Sequence, residues 1–221
     1  MITFGHDISL RDLRFIWRYK SKYLKHMKVR DSGMPDEQNW SSHFDVDKIL
    51  DEMEVSYKLR HVVEIGFGFG TFTIPAAKRI SGTLHAFDID PQMKQHLDHS
   101  IQIHQTAGTN LSDSIKTHIR DAIAESTGLH DNVSDYVMLF NIMHHEHPEE
   151  LLGEARRILK PGGLAGIIHW RSDIPTPRGP DLSIRPTPEY IVSQFQKSGF
   201  RVFKGPLVLK PYHFGVLGRI T

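Results

Sequence analysis

The residues with the plainest chemical content run from Val62 to Thr71: Val-Val-Glu-Ile-Gly-Phe-Gly-Phe-Gly-Thr. An apolar run carries an acid, Glu64, into a turn with glycine at every second position, Gly66, Gly68 and Gly70, and a helical pattern follows from about Thr71 to Ile80. Residues without Cβ atoms let a backbone approach a ligand closely, and a helix start adds N–H donors that have no partner inside the helix. A strand that ends in such a turn predicts a nucleotide-type cofactor at the carboxyl end of the first strand of an α/β sheet. The spacing is not the G-x-G-x-x-G that seats a pyrophosphate on a helix N-terminus. An acid two residues ahead of the first glycine would also repel one.

A second strand, Thr83 to Asp88, ends in another acid 22 positions after Gly66. A carboxylate there is placed to accept both ribose hydroxyls of a nucleoside. Asp90 precedes Pro91 and reads instead as the N-cap of the next helix. Further candidates lie at later strand ends. His144, His145, Glu146 and His147 follow the fourth strand, and His169, Trp170 and Arg171 close the fifth. His144 and His147 are only three apart and no distant carboxylate joins them, so no metal is expected. His144 and His169 are the candidate bases.

The elements that must position these groups alternate between strand and helix. After the second strand come Ile115–Ile119 with Arg120-Asp121-Ala122, and Asp135–Phe140 with Asn141. A helix then ends at Leu-Lys-Pro-Gly-Gly (159–163), and Leu164–Trp170 forms the fifth strand. The alternation predicts a parallel sheet covered on both faces. Residues 172–188 hold five prolines and read as a stiff loop on the ligand side of the sheet. Pro188–Ser198 reads as a helix, and Phe200–Phe203 and Phe214–Ile220 as the last strands. Ahead of the glycine turn, residues 9–28 show a basic, aromatic helical pattern, 30–40 read as a loop, and Asp45 as the cap of a helix that turns Ile49, Leu50 and Met53 inward. Trp40 and Phe44 are candidates for a lid wall.

Glu64-x-Gly-x-Gly-x-Gly, Asp88, Asp121-Ala122, Asn141 and the Leu-Lys-Pro-Gly-Gly passage, in this order, resemble the class I S-adenosylmethionine-dependent methyltransferases over about residues 58–221. The resemblance implies a Rossmann-like sandwich with a seven-stranded, mostly parallel sheet of order 3-2-1-4-5-7-6. It implies a cap over residues 1–58 and a cofactor-binding domain over 59–221. It implies S-adenosylmethionine as cofactor and S-adenosylhomocysteine as product. The implied cofactor set is Glu64 at the methionine end, Gly66, Phe67, Gly68 and Gly70 along it, Asp88 and Ile89 at ribose, Asp121 and Ala122 at adenine, and Asn141. Trp40, Arg171, Arg178, Tyr212 and His213 are expected on the acceptor side, with Arg185 as a further cation. The stretches Gly70–Pro75, Phe140–His144, Ile168–Arg171, Thr176–Pro180 and Pro211–Gly215 are similar to a narrower group of bacterial methyltransferase-like proteins of unassigned substrate.

Composition bounds the partners. The chain has 221 residues, no cysteine, 15 histidines and a formal charge of +1. That balance demands no anionic polymer, and the missing thiols remove cysteine nucleophiles and thiolate metal sites. No apolar run reaches the roughly 18 residues that a bilayer requires, so no membrane partner is expected, and the default compartment is the cytoplasm. Asn141-Ile-Met-His144 stands where methyltransferases of base amino groups resemble D/N-P-P-Y/F, which makes nucleic acid an unexpected acceptor. The expected activity is methyl transfer to a small molecule at O, N or C. The alternatives are an RNA or protein methyltransferase docked through the basic N-terminal segment, or a cofactor-binding protein without turnover. Nothing in the sequence selects an oligomeric state.

Overall fold

The computed structural model describes residues 40–221; the basic segment at 9–28 and the loop expected over 30–40 lie, but for Trp40, outside them. Helix α1 is Val46–Glu52, capped as expected by Asp45, whose Oδ1 accepts the Lys48 N–H at 3.2 Å. The alternation then runs β1 His61–Ile65, α2 Thr73–Arg79, β2 Thr83–Asp88, α3 Pro91–Thr106, β3 Ile115–Ile119, β4 Ser134–Phe140, α4 Pro148–Ile158, β5 Leu159–Trp170, α5 Pro188–Lys197, β6 Phe200–Leu209 and β7 His213–Ile220. A 3-10 turn, Leu182–Ile184, interrupts the proline-rich loop.

All seven strands join one sheet of order β3-β2-β1-β4-β5-β7-β6. The strands from β3 to β5 pair in parallel, and β7 runs antiparallel to both β5 and β6. The expected Rossmann-like architecture is the observed one. Because parallel strands need crossovers on the sheet faces, the central strands are buried on both sides. One core cluster gathers Val62, Leu84, Met138, Ile168 and Trp170 with α1, α2 and α3; the other gathers Val63, Ile65, Val137, Ile167 and Val216 with α4 and α5. Alternate residues of each strand feed alternate clusters, as the pleat requires.

Three expectations change in detail. No helix joins β3 to β4. Residues 120–133 instead form a loop, with Ser126 at φ 55° and Asn132 at φ 57°. Buried Glu154 holds it, its Oε1 accepting both the backbone N–H and the hydroxyl of Thr127 at 2.6 Å, while Arg157 bonds Glu154 and Asp131. The stop at Pro161-Gly162-Gly163 lies inside β5, which begins at Leu159 beside Ser134 and shifts register before Tyr136. β6 runs to Leu209, six residues past the expected end, because two register shifts let it follow β7 through Gly205-Pro206.

Residues 40–58 share the domain's core. The fully buried Tyr136 hydroxyl donates to the Met53 carbonyl at 2.8 Å, tying the exit of α1 to the central strand β4. Tyr136→Phe leaves that carbonyl without its partner, and a loss of about 1–2 kcal/mol in unfolding free energy is expected. Urea unfolding checks it: the midpoint falls while the slope is unchanged.

Candidate functional site

The glycine turn leaves β1 at the carboxyl edge of the sheet. Gly66, Gly68 and Gly70 have φ of 82°, 53° and 80°, a region that L side chains rarely adopt. The Gly66 N–H donates to the Phe87 carbonyl at 2.8 Å and the Gly70 N–H to the Phe67 carbonyl at 2.9 Å. The Gly68 N–H donates to Asp88 Oδ2 at 2.9 Å, while Asp88 Oδ1 accepts from the Asp90 N–H at 3.0 Å. One carboxylate therefore holds the bend of the loop and the exit of β2. Asp90 does cap α3, accepting from the Gln92 N–H at 2.9 Å. Asp88 is drawn upward in pKa by burial, against the backbone donors of Gly68, Asp90 and Ile89 that favour its charge.

A cavity of about 100 Å3 opens beside this corner. Gly66, Asp88, Ile89, Asp121 and Ala122 line it, so five residues expected at a cofactor converge there from three strand ends. Ile142, His145 and Leu151 form the opposite wall, with Phe87 and Ile65 at the base. Ile142 stands within the Phe140–His144 stretch without a site role assigned to it, and no motif singled out Leu151. They come from the loop and helix after β4, and only the crossover brings them over β1. Asp121 Oδ1 accepts from the N–H groups of Ile123 and Ala124 at 2.9 and 3.0 Å, which closes the turn that starts the β3–β4 loop. Arg120 is the cation of the lining, and its guanidinium is turned to the Ser126 and Glu125 carbonyls at 2.6 and 2.9 Å.

Phe67, Gly68, Gly70, Glu64 and Asn141 adjoin this corner without lining the cavity. Glu64 is 2% exposed and accepts from the Thr73 hydroxyl at 2.6 Å, a partner from the first turn of α2 that the sequence did not mark. Burial pushes its carboxyl up to about 8; the Thr73 hydroxyl opposes the rise and the Asp88 charge adds to it. Asn141 ends β4 at φ 56°, donates its N–H to the Ile168 carbonyl at 2.9 Å, and holds a buried Oδ1 with no partner.

These features fit a nucleoside with a cationic amine better than a diphosphate. Three acids and an unsatisfied amide oxygen surround the glycine bend, and the lining's guanidinium is engaged by backbone. A buried, protonatable Glu64 is suited to a ligand that brings its own positive charge into a dry site.

The remaining candidates fall into two groups on opposite faces of β5. His169 points toward the α4–α5 cluster, where its Nε2 lies 3.3 Å from His144 Nδ1 and its Nδ1 lies 3.3 Å from the Trp170 carbonyl. Both rings are buried, and burial holds the His169 imidazole far below its ordinary pKa, with His144 adding to the effect. Trp170 points to the other face with Trp40, Phe44, Tyr212 and His213. Arg171 is engaged by Asp173 at 2.9 and 2.7 Å, while Arg178 is exposed. Among the described residues no group of three or more His, Asp or Glu is arranged to hold a metal, and no helix is long and apolar enough to cross a membrane.

Comparison with known proteins agrees with this geometry. The family described as a methyltransferase domain matches residues 63–167. A S-adenosylmethionine-dependent methyltransferase from Aquifex aeolicus superposes with a TM-score of 0.70 at 22% identity, over 92% of this chain and 98% of that one. A putative type 11 methyltransferase from Sulfolobus solfataricus has a TM-score of 0.59 at 25% identity, over 79% and 91%. An O-methyltransferase family protein from Burkholderia thailandensis has a TM-score of 0.60 at 18% identity, over 79% and 55%. No curated protein matches the sequence.

Two outcomes follow from the geometry. Asp88→Ala removes the tie to Gly68 and the acceptor beside the cavity together, so calorimetry should find S-adenosylhomocysteine binding weakened at least about tenfold, about 1.4 kcal/mol. For Glu64, the folded chain keeps a proton that the unfolded chain has lost above the ordinary carboxyl pKa. Its contribution to stability is therefore complete at pH 4 and declines toward pH 8. Relative to Glu64→Gln, wild-type protein without ligand should lose stability steadily as pH rises from 5 to 8, read by denaturant titration at several pH values.

Proposed function

The chain belongs to the class I S-adenosylmethionine-dependent methyltransferase superfamily, and we propose that it moves a methyl group from S-adenosylmethionine to a small-molecule acceptor by in-line displacement. The observation that carries the small-molecule reading is the cover over the carboxyl edge of β5. The loop between β5 and α5 folds back over Trp170, with Arg185 donating to the carbonyls of Pro180, Arg171 and Arg178 and to the Thr176 hydroxyl. An acceptor enclosed by such a loop is small, whereas a macromolecule calls for an open face.

In this reading Asp88 receives the ribose hydroxyls with the oxygen lone pairs that Gly68 and Asp90 leave over, and Asp121 and the Ala122 N–H face adenine across the cavity. Glu64 and Asn141 Oδ1 meet the ammonium group, whose charge favours the ionised form of Glu64. Ile142 and Leu151 exclude water from the base. Bound S-adenosylmethionine supplies a carbon already activated by its sulfonium, so the chain's own task is alignment and exclusion of water.

Where the acceptor must lose a proton, the histidine pair has a defined polarity. His169 Nδ1 faces a carbonyl and so carries the proton. His169 Nε2 then accepts from His144 Nδ1–H, which puts the imidazole lone pair on His144 Nε2. His144 is the proposed base and His169 the residue that orients it.

The test is incubation of the full chain with methyl-labelled S-adenosylmethionine and a cell extract split into small-molecule, RNA and protein fractions. Label is expected in the small-molecule fraction; label confined to RNA or protein overturns the reading. Once an acceptor is in hand, His144→Gln should lower kcat at least about tenfold and leave S-adenosylhomocysteine affinity unchanged. Calorimetry in buffers of differing ionisation heat should also show S-adenosylhomocysteine releasing a proton at pH 7, and Glu64→Gln should abolish that release.

A further inference from the structure

The edge of the sheet at β2 and β3 carries a second histidine pair that the site described above does not use. Helices α2 and α3 pack on one face of these strands with Leu84, Ala86 and Ile115. The other face presents His85 and Lys116 as one register pair and Phe87 and His118 as the next, and no helix follows β3 to cover it. His85 Nδ1 lies 3.2 Å from His118 Nε2, with the rings within 15° of a common orientation. His118 also lies flat on Phe87, at a centroid separation of 4.5 Å and an angle of 12°.

A bond between two neutral imidazoles uses one N–H and one lone pair. One added proton leaves that bond possible, and a second sets two donors against each other. The surroundings oppose even the first. Burial holds both rings below the ordinary histidine pKa, and the groups that add to it are His61 of β1, Lys116 and Arg120 of β3 and Lys94 of α3, none of them an acid. Among adjoining acids, Asp88 is bound to the N–H groups of Gly68 and Asp90, Asp98 to Lys94 and the Thr117 hydroxyl, and Asp121 to the N–H groups of Ile123 and Ala124.

The pair is joined to the cofactor corner through Phe87. That residue forms the base of the cavity, and its carbonyl accepts from the N–H groups of Gly66 and Phe67 at 2.8 and 3.3 Å. The next carbonyl, that of Asp88, accepts from the Arg120 N–H at 2.8 Å. The His118 ring therefore backs the cavity base, and its strand delivers Asp121 and Ala122 to the lining a few residues on.

We propose that His118 is a positioning residue for the cofactor corner and that His85 makes it responsive to protons: the neutral pair seats Phe87 and the exit of β3, and the pair parts as it takes up protons, loosening the edge strand and lowering cofactor affinity. The inference rests on the methyltransferase reading for its ligand. The sign follows from the geometry. The parted rings accept protons more readily than the joined ones, so falling pH favours the parted state from the ordinary histidine range downward.

The test measures S-adenosylhomocysteine affinity by calorimetry at pH 7 and pH 5, in the full chain carrying Glu64→Gln so that this carboxyl adds nothing to the profile. Affinity should fall at least about fivefold across that interval. Adding His118→Phe, which keeps a flat ring on Phe87 and takes no proton, should hold affinity at pH 7 within about twofold and remove most of the fall. His85→Gln should flatten the profile in the same way, whereas His118→Ala, which removes the ring behind Phe87, should weaken binding at both pH values. No fall in the Glu64→Gln chain, or a fall that His118→Phe and His85→Gln leave unchanged, overturns the proposal and leaves the methyltransferase reading standing. Absence of binding at both pH values brings down the cofactor reading, and hydrogen exchange then decides the pair by itself. Amides of residues 116–122, corrected for intrinsic rate, should open at pH 5 in the wild-type chain and stay protected in His118→Phe; equal protection at both pH values in the wild type overturns the proposal.

Discussion

The cofactor corner depends on one carboxylate. Asp88 accepts from the Gly68 N–H with one oxygen and from the Asp90 N–H with the other, so a single side chain sets the bend after β1 against the start of α3. Two adjacent parallel strands end in register, with Ile65 beside Phe87, and their exits would diverge without such a tie. Each hydrogen bond to an ionised acceptor is stronger than a neutral one. Both favour the charge that burial resists. The same acid that builds the loop is thus left with lone pairs directed to the edge where a nucleoside would lie. In the proposed reading, structure and recognition are carried by this one group.

The pleat of β5 imposes the second division. His169 and Trp170 are neighbours in the chain and part to opposite faces of the sheet. The histidine pairs with His144 beneath the loop after β4. The tryptophan joins a ring cluster with α1, the β6–β7 turn and the proline-rich loop. A one-residue slip of register would exchange the two sets. The antiparallel pairing of Trp170 with His213 prevents that slip, because β7 returns along β5 through seven paired residues. Inserting β7 between β5 and β6 therefore delivers His213 to the same edge as the ends of the parallel strands.

Loops without helices do comparable work. The β3–β4 connection is fixed by Glu154 and Arg157 from α4 together with its own hydrogen bonds from Arg120 and to Asp121, and it leaves Asp121 and Ala122 lining the cavity. Glu154 shows how a buried charge is accommodated: burial alone would raise its pKa, and Arg157 and Thr127 together carry it below the ordinary value.

Local rules made much of this legible in the sequence. Glycine at alternate positions after an apolar strand marked a turn whose backbone can approach a ligand closely. Asp45 and Asp90 before helices read as caps because their side chains reach N–H groups two or three residues on, and apolar periodicity marked every strand. Glu64 and Asp88 stood out as charges in or at the end of apolar strands, while Asp121 was marked by the resemblance to the methyltransferase family. Tertiary structure decided what depends on distant partners: the Thr73 hydroxyl on Glu64, the Ile142 and Leu151 walls, the tie from Asp88 to Gly68, the helix-free passage after β3 and the separation of His169 from Trp170. Hydrogen bonds and burial between residues far apart in the chain leave no trace in spacing. The polarity of the His144–His169 pair exists only once the sheet has brought its strands together.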